Sequence, residues 1–169
     1  HRELNGVLLL AAAILLGIVF YIPRASTGVL GDVMLGTGRG LLGIAAYALP
    51  VLLAYAALEY LFNRSSEVSG QRISHVLILL WLVAALLQAF TLQYEAFRVA
   101  LDRYTADGTA RQAVGFLWRA SEETNAFAAL EHALPGGLLG GLVTLGLQRV
   151  AGNIGAIVIL IAAVLVELI

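Results

Sequence analysis

The amino-acid sequence predicts an all-α, polytopic membrane protein with four transmembrane helices, two short glycine-rich helices and a helical extracytoplasmic loop. Two observations carry this reading. The chain of 169 residues is 60% hydrophobic and 12% charged, with a mean hydropathy of +0.91; soluble domains are roughly 45–50% apolar and about 25% charged. Its charges also fall at the ends of apolar windows, and several windows approach the ~20 residues needed to cross a hydrocarbon core. A formal net charge of −1 provides no electrostatic footprint for DNA or RNA. Composition therefore excludes a soluble globular enzyme, a disordered tail and a basic nucleic-acid-binding module.

Cysteine is absent, which removes disulfides, thiolate metal sites and cysteine nucleophiles. Lysine is absent too, and all ten cations are arginine. Schiff-base chemistry and a phosphate-binding loop of the form G-x-x-x-x-G-K-[ST] go with it. The chain begins at His1 and stops at Ile169 inside an apolar run, and so reads as a piece of a longer protein.

Taken in order, Arg2-Glu3 and Arg24 bracket a first span at about 4–23. It is a retained helix rather than a signal peptide, having no small-residue cleavage signature. Arg39 and Glu59 bracket a second span at about 41–61, with Pro50 at its middle, where the lost backbone hydrogen bond predicts a kink. Arg72 and Glu95 bracket a third at about 73–92. The stretch after His132 is interrupted by Arg149, whose burial at mid-membrane would cost about 2.5–3.5 kcal/mol. Arg149 is therefore placed near an interface, and only 153–169 is taken as the fourth span. Arg2, Arg64 and Arg72 favour cytoplasmic termini, with the long loop outside.

Two short glycine-rich segments, about 28–38 and 137–148, complete a repeat. Gly28 and Gly31 are followed by Gly43, just inside the second span; Gly137 and Gly140 are followed by Gly152, just before the fourth. Leu30 and Leu139 fall at the same offset. The chain thus has two copies of span, loop, G-x-x-G segment and span. Glycine inside a helix costs about 1 kcal/mol relative to alanine, and close helix approach can offset that cost; Gly137 and Gly141 also have the G-x-x-x-G spacing. The helix-packing candidates are Gly28, Gly31, Gly43, Pro50, Gly137, Gly140, Gly141, Gly152 and Gly155. The two segments are expected to lie interfacial or re-entrant and to pack on spans two and four.

The loop at about 93–135 carries three expected helices. Phe90, Tyr94, Phe97, Leu101 and Tyr104 form one apolar stripe, and Ala113, Val114, Leu117 and Trp118 a second. Ser121 is expected to cap a third helix that opens with Glu122-Glu123 and ends before Pro135-Gly136. The loop reads as a helical cap resting on the membrane surface.

No catalytic, cofactor-binding or metal-ligating residue is assigned. Gly38-Arg39-Gly40-Leu41-Leu42-Gly43 matches G-x-G-x-x-G but follows no strand and runs straight into a span. His1, His75 and His132 are scattered, and adjacent helix positions turn Glu122 and Glu123 apart. Gln88, deep in the third span, is explained by an interhelical hydrogen bond.

These residues resemble a known family. The order REL-GVLLLAAAIL, then G-x-x-G and GIAAYALP (Gly43 to Pro50), then PGG-LLGGLV with G-x-I-G-A (Gly136 to Ala156), is similar to the N-terminal four-span membrane domain of the FtsK/SpoIIIE bacterial DNA translocases. The likeness covers nearly the whole chain, while the loop at 91–135 matches no motif. The resemblance implies a non-catalytic membrane anchor and oligomerisation domain, hexameric by family, in the bacterial inner membrane at the division septum. It implies contacts with other division proteins as well as the lipid bilayer. ATP, Mg and DNA would be engaged only by a motor C-terminal to residue 169. The alternative is a small polytopic transport or channel protein, favoured by the repeat and disfavoured by the lack of a buried charge; a purely structural membrane subunit is a third reading.

Overall fold

A computed structural model describes residues 2–22, 28–62, 66–93, 95–104, 110–122 and 135–168. Among them the chain is helical, with no strand: α1 (Arg2–Tyr21), α2 (Gly28–Leu42), α3 (Leu49–Phe62), α4 (Ser66–Thr91), α5 (Glu95–Tyr104), α6 (Ala110–Glu122) and α7 (Gly137–Leu168), with a 3₁₀ stretch at Gly43–Ala48 joining α2 to α3. Four helical runs are long and apolar enough to cross a membrane: Leu4–Tyr21, Gly28–Phe62, Ile73–Thr91 and Gly137–Leu168. The chain divides into two compact units, residues 1–35 with 47–78, and residues 36–46 with 79–169.

In the first unit α1 packs along α3. Its seam uses Gly6, Ala13, Gly17 and Phe20, steps of seven, four and three that lie on one helical face. A Cβ at Gly6 would stand 2.8 Å from Leu61 Cγ, and one at Gly17 would stand 3.9 Å from Pro50 Cβ. Ala13, Ala56 and Ala57 are buried. Small residues let two apolar helices approach closely, which is how association is driven where lipid removes the hydrophobic incentive. At the far end Phe20 meets Tyr47 edge to face at 5.5 Å, and the Tyr21 hydroxyl donates to the Tyr47 carbonyl.

Pro50 does not kink the middle of a helix. It stands second in α3, where its missing N–H has no intrahelical acceptor to lose. The disturbance lies upstream, as the 3₁₀ stretch Gly43–Ala48. A proline ring collides with the carbonyl four residues before it, and tightening to i→i+3 bonding moves the Ala46 carbonyl out of that geometry.

In the second unit, Ala84, Ala85, Gln88 and Ala89 form the buried face of α4, and Leu92 is buried in the turn after it. Ala85 and Ala89 pack with Leu160 of α7, flanked by Leu82, Leu86, Val143, Leu147 and Ile157. The glycine-rich segment 137–148 and the span from 153 are one helical run, broken at Gly152, where φ is 70° and ψ −179°. Gln148 Nε2 donates to Asn153 Oδ1 across that break at 2.8 Å. Arg149 is exposed just before it.

The loop differs from expectation in two places. Phe90 belongs to α4, and a turn at Leu92 and Gln93 separates it from α5, so the first stripe is divided between two helices. Phe97 of α5 meets Phe116 of α6 in a tilted pair with centroids 5.3 Å apart, and Leu101 is buried. Ser121 caps no new helix: it lies buried in the last turn of α6, one turn after Leu117 on the same face. That face is covered by packing, so the helix continues through a residue that would otherwise have served as a cap. Glu122 continues α6 rather than opening a new helix, and it accepts the Trp118 Nε1 proton at 3.1 Å. The expected third helix, with Glu123 and His132, lies outside the described residues, as do the side chains of Tyr94 and Tyr104.

Candidate functional site

Four residues have a left-handed backbone among those described, and all are glycine: Gly28 (φ 59°), Gly43 (φ 59°), Gly137 (φ 75°) and Gly152 (φ 70°). Such φ values cost a residue with a Cβ roughly 1–2 kcal/mol. The pair Gly28 and Gly43 recurs 109 positions later as Gly137 and Gly152. The repeat visible in the glycines is therefore also a repeat of positive φ. In each copy a left-handed glycine opens a glycine-rich helix, and a second one ends it and starts a span.

Two of the four meet. Gly43, where α2 ends, lies against Pro135 and Gly137, where α7 begins. A Cβ at Gly43 would overlap the Pro135 carbonyl oxygen, and one at Gly137 would overlap the Leu41 carbonyl. The Ile44 N–H donates to the Pro135 oxygen at 3.1 Å. Backbone meets backbone here, with no room for a side chain on either partner.

The third wall of the junction is α4. A Cβ at Gly136 would overlap the Ala84 carbonyl, and one at Gly140 would come within 2.7 Å of it. Gln88, fully buried, accepts the Gly136 N–H at 2.8 Å through Oε1. That bond satisfies a backbone donor ahead of α7, where no intrahelical acceptor exists. It is the interhelical hydrogen bond expected of Gln88, with main chain as its partner. The Thr144 hydroxyl lies 2.8 Å from both the Ala85 and Gly140 carbonyls, sharing one proton between α4 and its own helix.

The fourth wall is α6. A Cβ at Gly141 would lie 2.6 Å from Leu117 Cδ1, one at Gly40 2.6 Å from Trp118 Cε2, and one at Gly36 3.0 Å from Glu122 Oε1. The glycines of both short segments therefore seat a loop helix. Arg39, buried in the last turn of α2, places its charge at the negative end of that helix dipole.

Of the packing candidates, Gly43, Gly137, Gly140 and Gly141 come together at this junction. Pro50 packs in the first unit. Gly31 is buried in α2; Gly155 faces Ala151 of its own helix; Gly28 and Gly152 have no atom within 4 Å of a built Cβ. Gly36, Gly40 and Gly136 were not among the packing candidates. The i, i+4 spacing of Gly36 and Gly40 was the available signal, and the small pair Ala84-Ala85 beside Gln88 marked their surroundings.

The junction is built of main chain, amide and hydroxyl groups, with the buried Arg39 beside Gly40. Its chemistry is hydrogen bonding and close packing: it fixes helices rather than moving protons. Among the described residues no group of three or more His, Asp or Glu is placed to hold a metal ion, and His75 is exposed on α4. No family model, curated protein or solved structure matches the chain.

Proposed function

We propose that the chain is the membrane anchor and oligomerisation domain of a septal, ATP-driven DNA translocase of the FtsK/SpoIIIE type, acting in cell division and chromosome segregation. One observation carries the reading. The two stretches most specific to that resemblance, Gly43 to Pro50 and Gly136 to Ala156, are the two that interlock, with Gly43 against Gly137 and Ile44 bonded to Pro135. Gly43–Ala46 and the stretch from Gly136, which carry part of the likeness, thus meet in the second unit. A domain whose centre is a tight backbone junction, with its one buried cation, Arg39, set at the C-terminal end of α2, is suited to holding position.

In this reading the protein spans the bacterial inner membrane with both termini cytoplasmic. The α5–α6 loop lies outside, and the glycine-rich segments sit shallow in the bilayer. The chain itself is non-catalytic. ATP, Mg and DNA are engaged by a motor beyond residue 169, and the chain assembles as a homo-oligomer, hexameric by family, among other division proteins. The paired left-handed breaks also occur in transporters, which makes a small transport or channel protein the second reading.

The test is a fluorescent protein fused after Ile169 and expressed in dividing bacterial cells. An anchor concentrates at the septum and gives no ion flux when the chain is reconstituted in liposomes. Uniform membrane fluorescence together with flux favours transport.

A further inference from the structure

Each left-handed glycine of the junction has a counterpart 109 positions away that meets nothing. Gly43, late in the first copy of the repeat, meets Gly137, early in the second. That leaves Gly28, early in the first, and Gly152, late in the second. Both keep a positive φ, 59° and 70°, yet no atom of the described residues lies within 4 Å of a built Cβ at either. We propose that the surface around Gly28 of one copy of the chain docks head to tail on the surface around Gly152 of a second copy, repeating between chains the junction that Gly137 and Gly43 make within one.

The surrounding residues fit this pairing. Val29, Val150 and Ile154 are 81%, 89% and 79% exposed. Their counterparts at the internal junction are covered: Leu138 and Leu41 are half-buried, and Ala45 is buried. Exposure to lipid alone drives no association, since acyl chains are as apolar as valine; close backbone approach at small residues does. The open surfaces have what that approach needs, a glycine with no side chain and a left-handed turn that no other residue adopts cheaply.

Charge is matched as well. At the internal junction Gly40 and Gly141 lie beneath neighbouring side chains of α6, Trp118 and Leu117. Their counterparts are Arg149 and Asp32, both exposed. Where the internal junction has two glycines under a covering helix, the open surfaces carry one cation and one anion. Docking in the same geometry brings Arg149 of one copy toward Asp32 of the next. A head-to-tail contact of this kind is heterologous, so it propagates to a closed ring or an open chain rather than stopping at a dimer. The inference deepens the anchor reading and rests on it for self-assembly, while naming the surface that assembles.

The absence of cysteine makes the test clean. The chain carrying both V29C and V150C is placed in liposomes and treated with a short bismaleimide; the expected product is a ladder of dimers, trimers and higher multimers. Neither V29C nor V150C alone should cross-link, because each surface meets the other and not itself. D32R alone, or R149D alone, is expected to reduce the ladder about 1.4- to fivefold, as an exposed ion pair contributes ~0.2–1 kcal/mol. The combination D32R with R149D should restore it. Dimers from either single cysteine variant, or no rescue by the double reversal, overturn the proposal. Multimers that form without any V29C–V150C cross-link overturn this surface and leave the anchor reading standing. A chain that stays monomeric in the bilayer overturns both.

Discussion

A methyl group added at Gly43 has nowhere to go, because the Pro135 carbonyl occupies its place and the backbone there is left-handed. G43A therefore combines the left-handed strain, roughly 1–2 kcal/mol, with displacement of packed backbone, roughly 1–3 kcal/mol. A loss of about 2–5 kcal/mol is expected in reversible unfolding in detergent micelles. Gly146 supplies the control: it lies inside α7 with open space around it and an ordinary φ. G146A should stabilise by about 1 kcal/mol through helix propensity alone. If the two substitutions give equal effects, the junction does not hold the second unit together. Gln88 supports a second prediction at this scale. Q88L removes the acceptor of a buried N–H, and leaving such a donor unsatisfied costs about 1–3 kcal/mol. The loss should appear in the same unfolding measurement, with faster hydrogen exchange at Gly136. The glycine positions and the interhelical role of Gln88 were legible in the residue order. The left-handed φ values and their partners were not, because sequence shows where a side chain is missing but not which backbone fills the space.

Among the elements, α6 shows how far local pattern reaches. Its stripe of Leu117 and Trp118 is visible in the sequence, but the surface it seeks is not. An amphipathic helix reads equally well as lying on lipid or on protein. The structure places it on glycines of α2 and α7, where Leu117 is fully buried. L117A should therefore cost about 2–5 kcal/mol, the range for emptying a packed leucine site. A helix resting only on headgroups would lose far less, and a change below about 1 kcal/mol in the unfolding midpoint would contradict its place on the glycines. Ser121 and Pro50 were misread for related reasons. Each has a strong local preference, for a cap and for a kink, and in each case packing or an adjacent stretch absorbed it: Ser121 stays inside a buried helix face, and the strain near Pro50 moved into the preceding 3₁₀ stretch.

For the whole molecule, four apolar runs long enough to span were written plainly in the charge pattern, and the structure has them. The second span and its glycine-rich segment are one connected run, as are the fourth span and its own, because a single left-handed glycine can redirect a helix without a loop. On the proposed head-to-tail docking the repeat is a rule for assembly: one junction is closed within the chain at Gly43 and Gly137, and the other forms between copies at Gly28 and Gly152. On the proposed reading, such an anchor holds a motor by its membrane end and presents the same pair of surfaces to each neighbour. The most direct measurement is the coding sequence downstream of the Ile169 codon. An anchor requires a linker followed by a G-x-x-x-x-G-K-[ST] motor and a basic C-terminal domain. A stop codon soon after Ile169, or a downstream region without a nucleotide-binding loop, contradicts it.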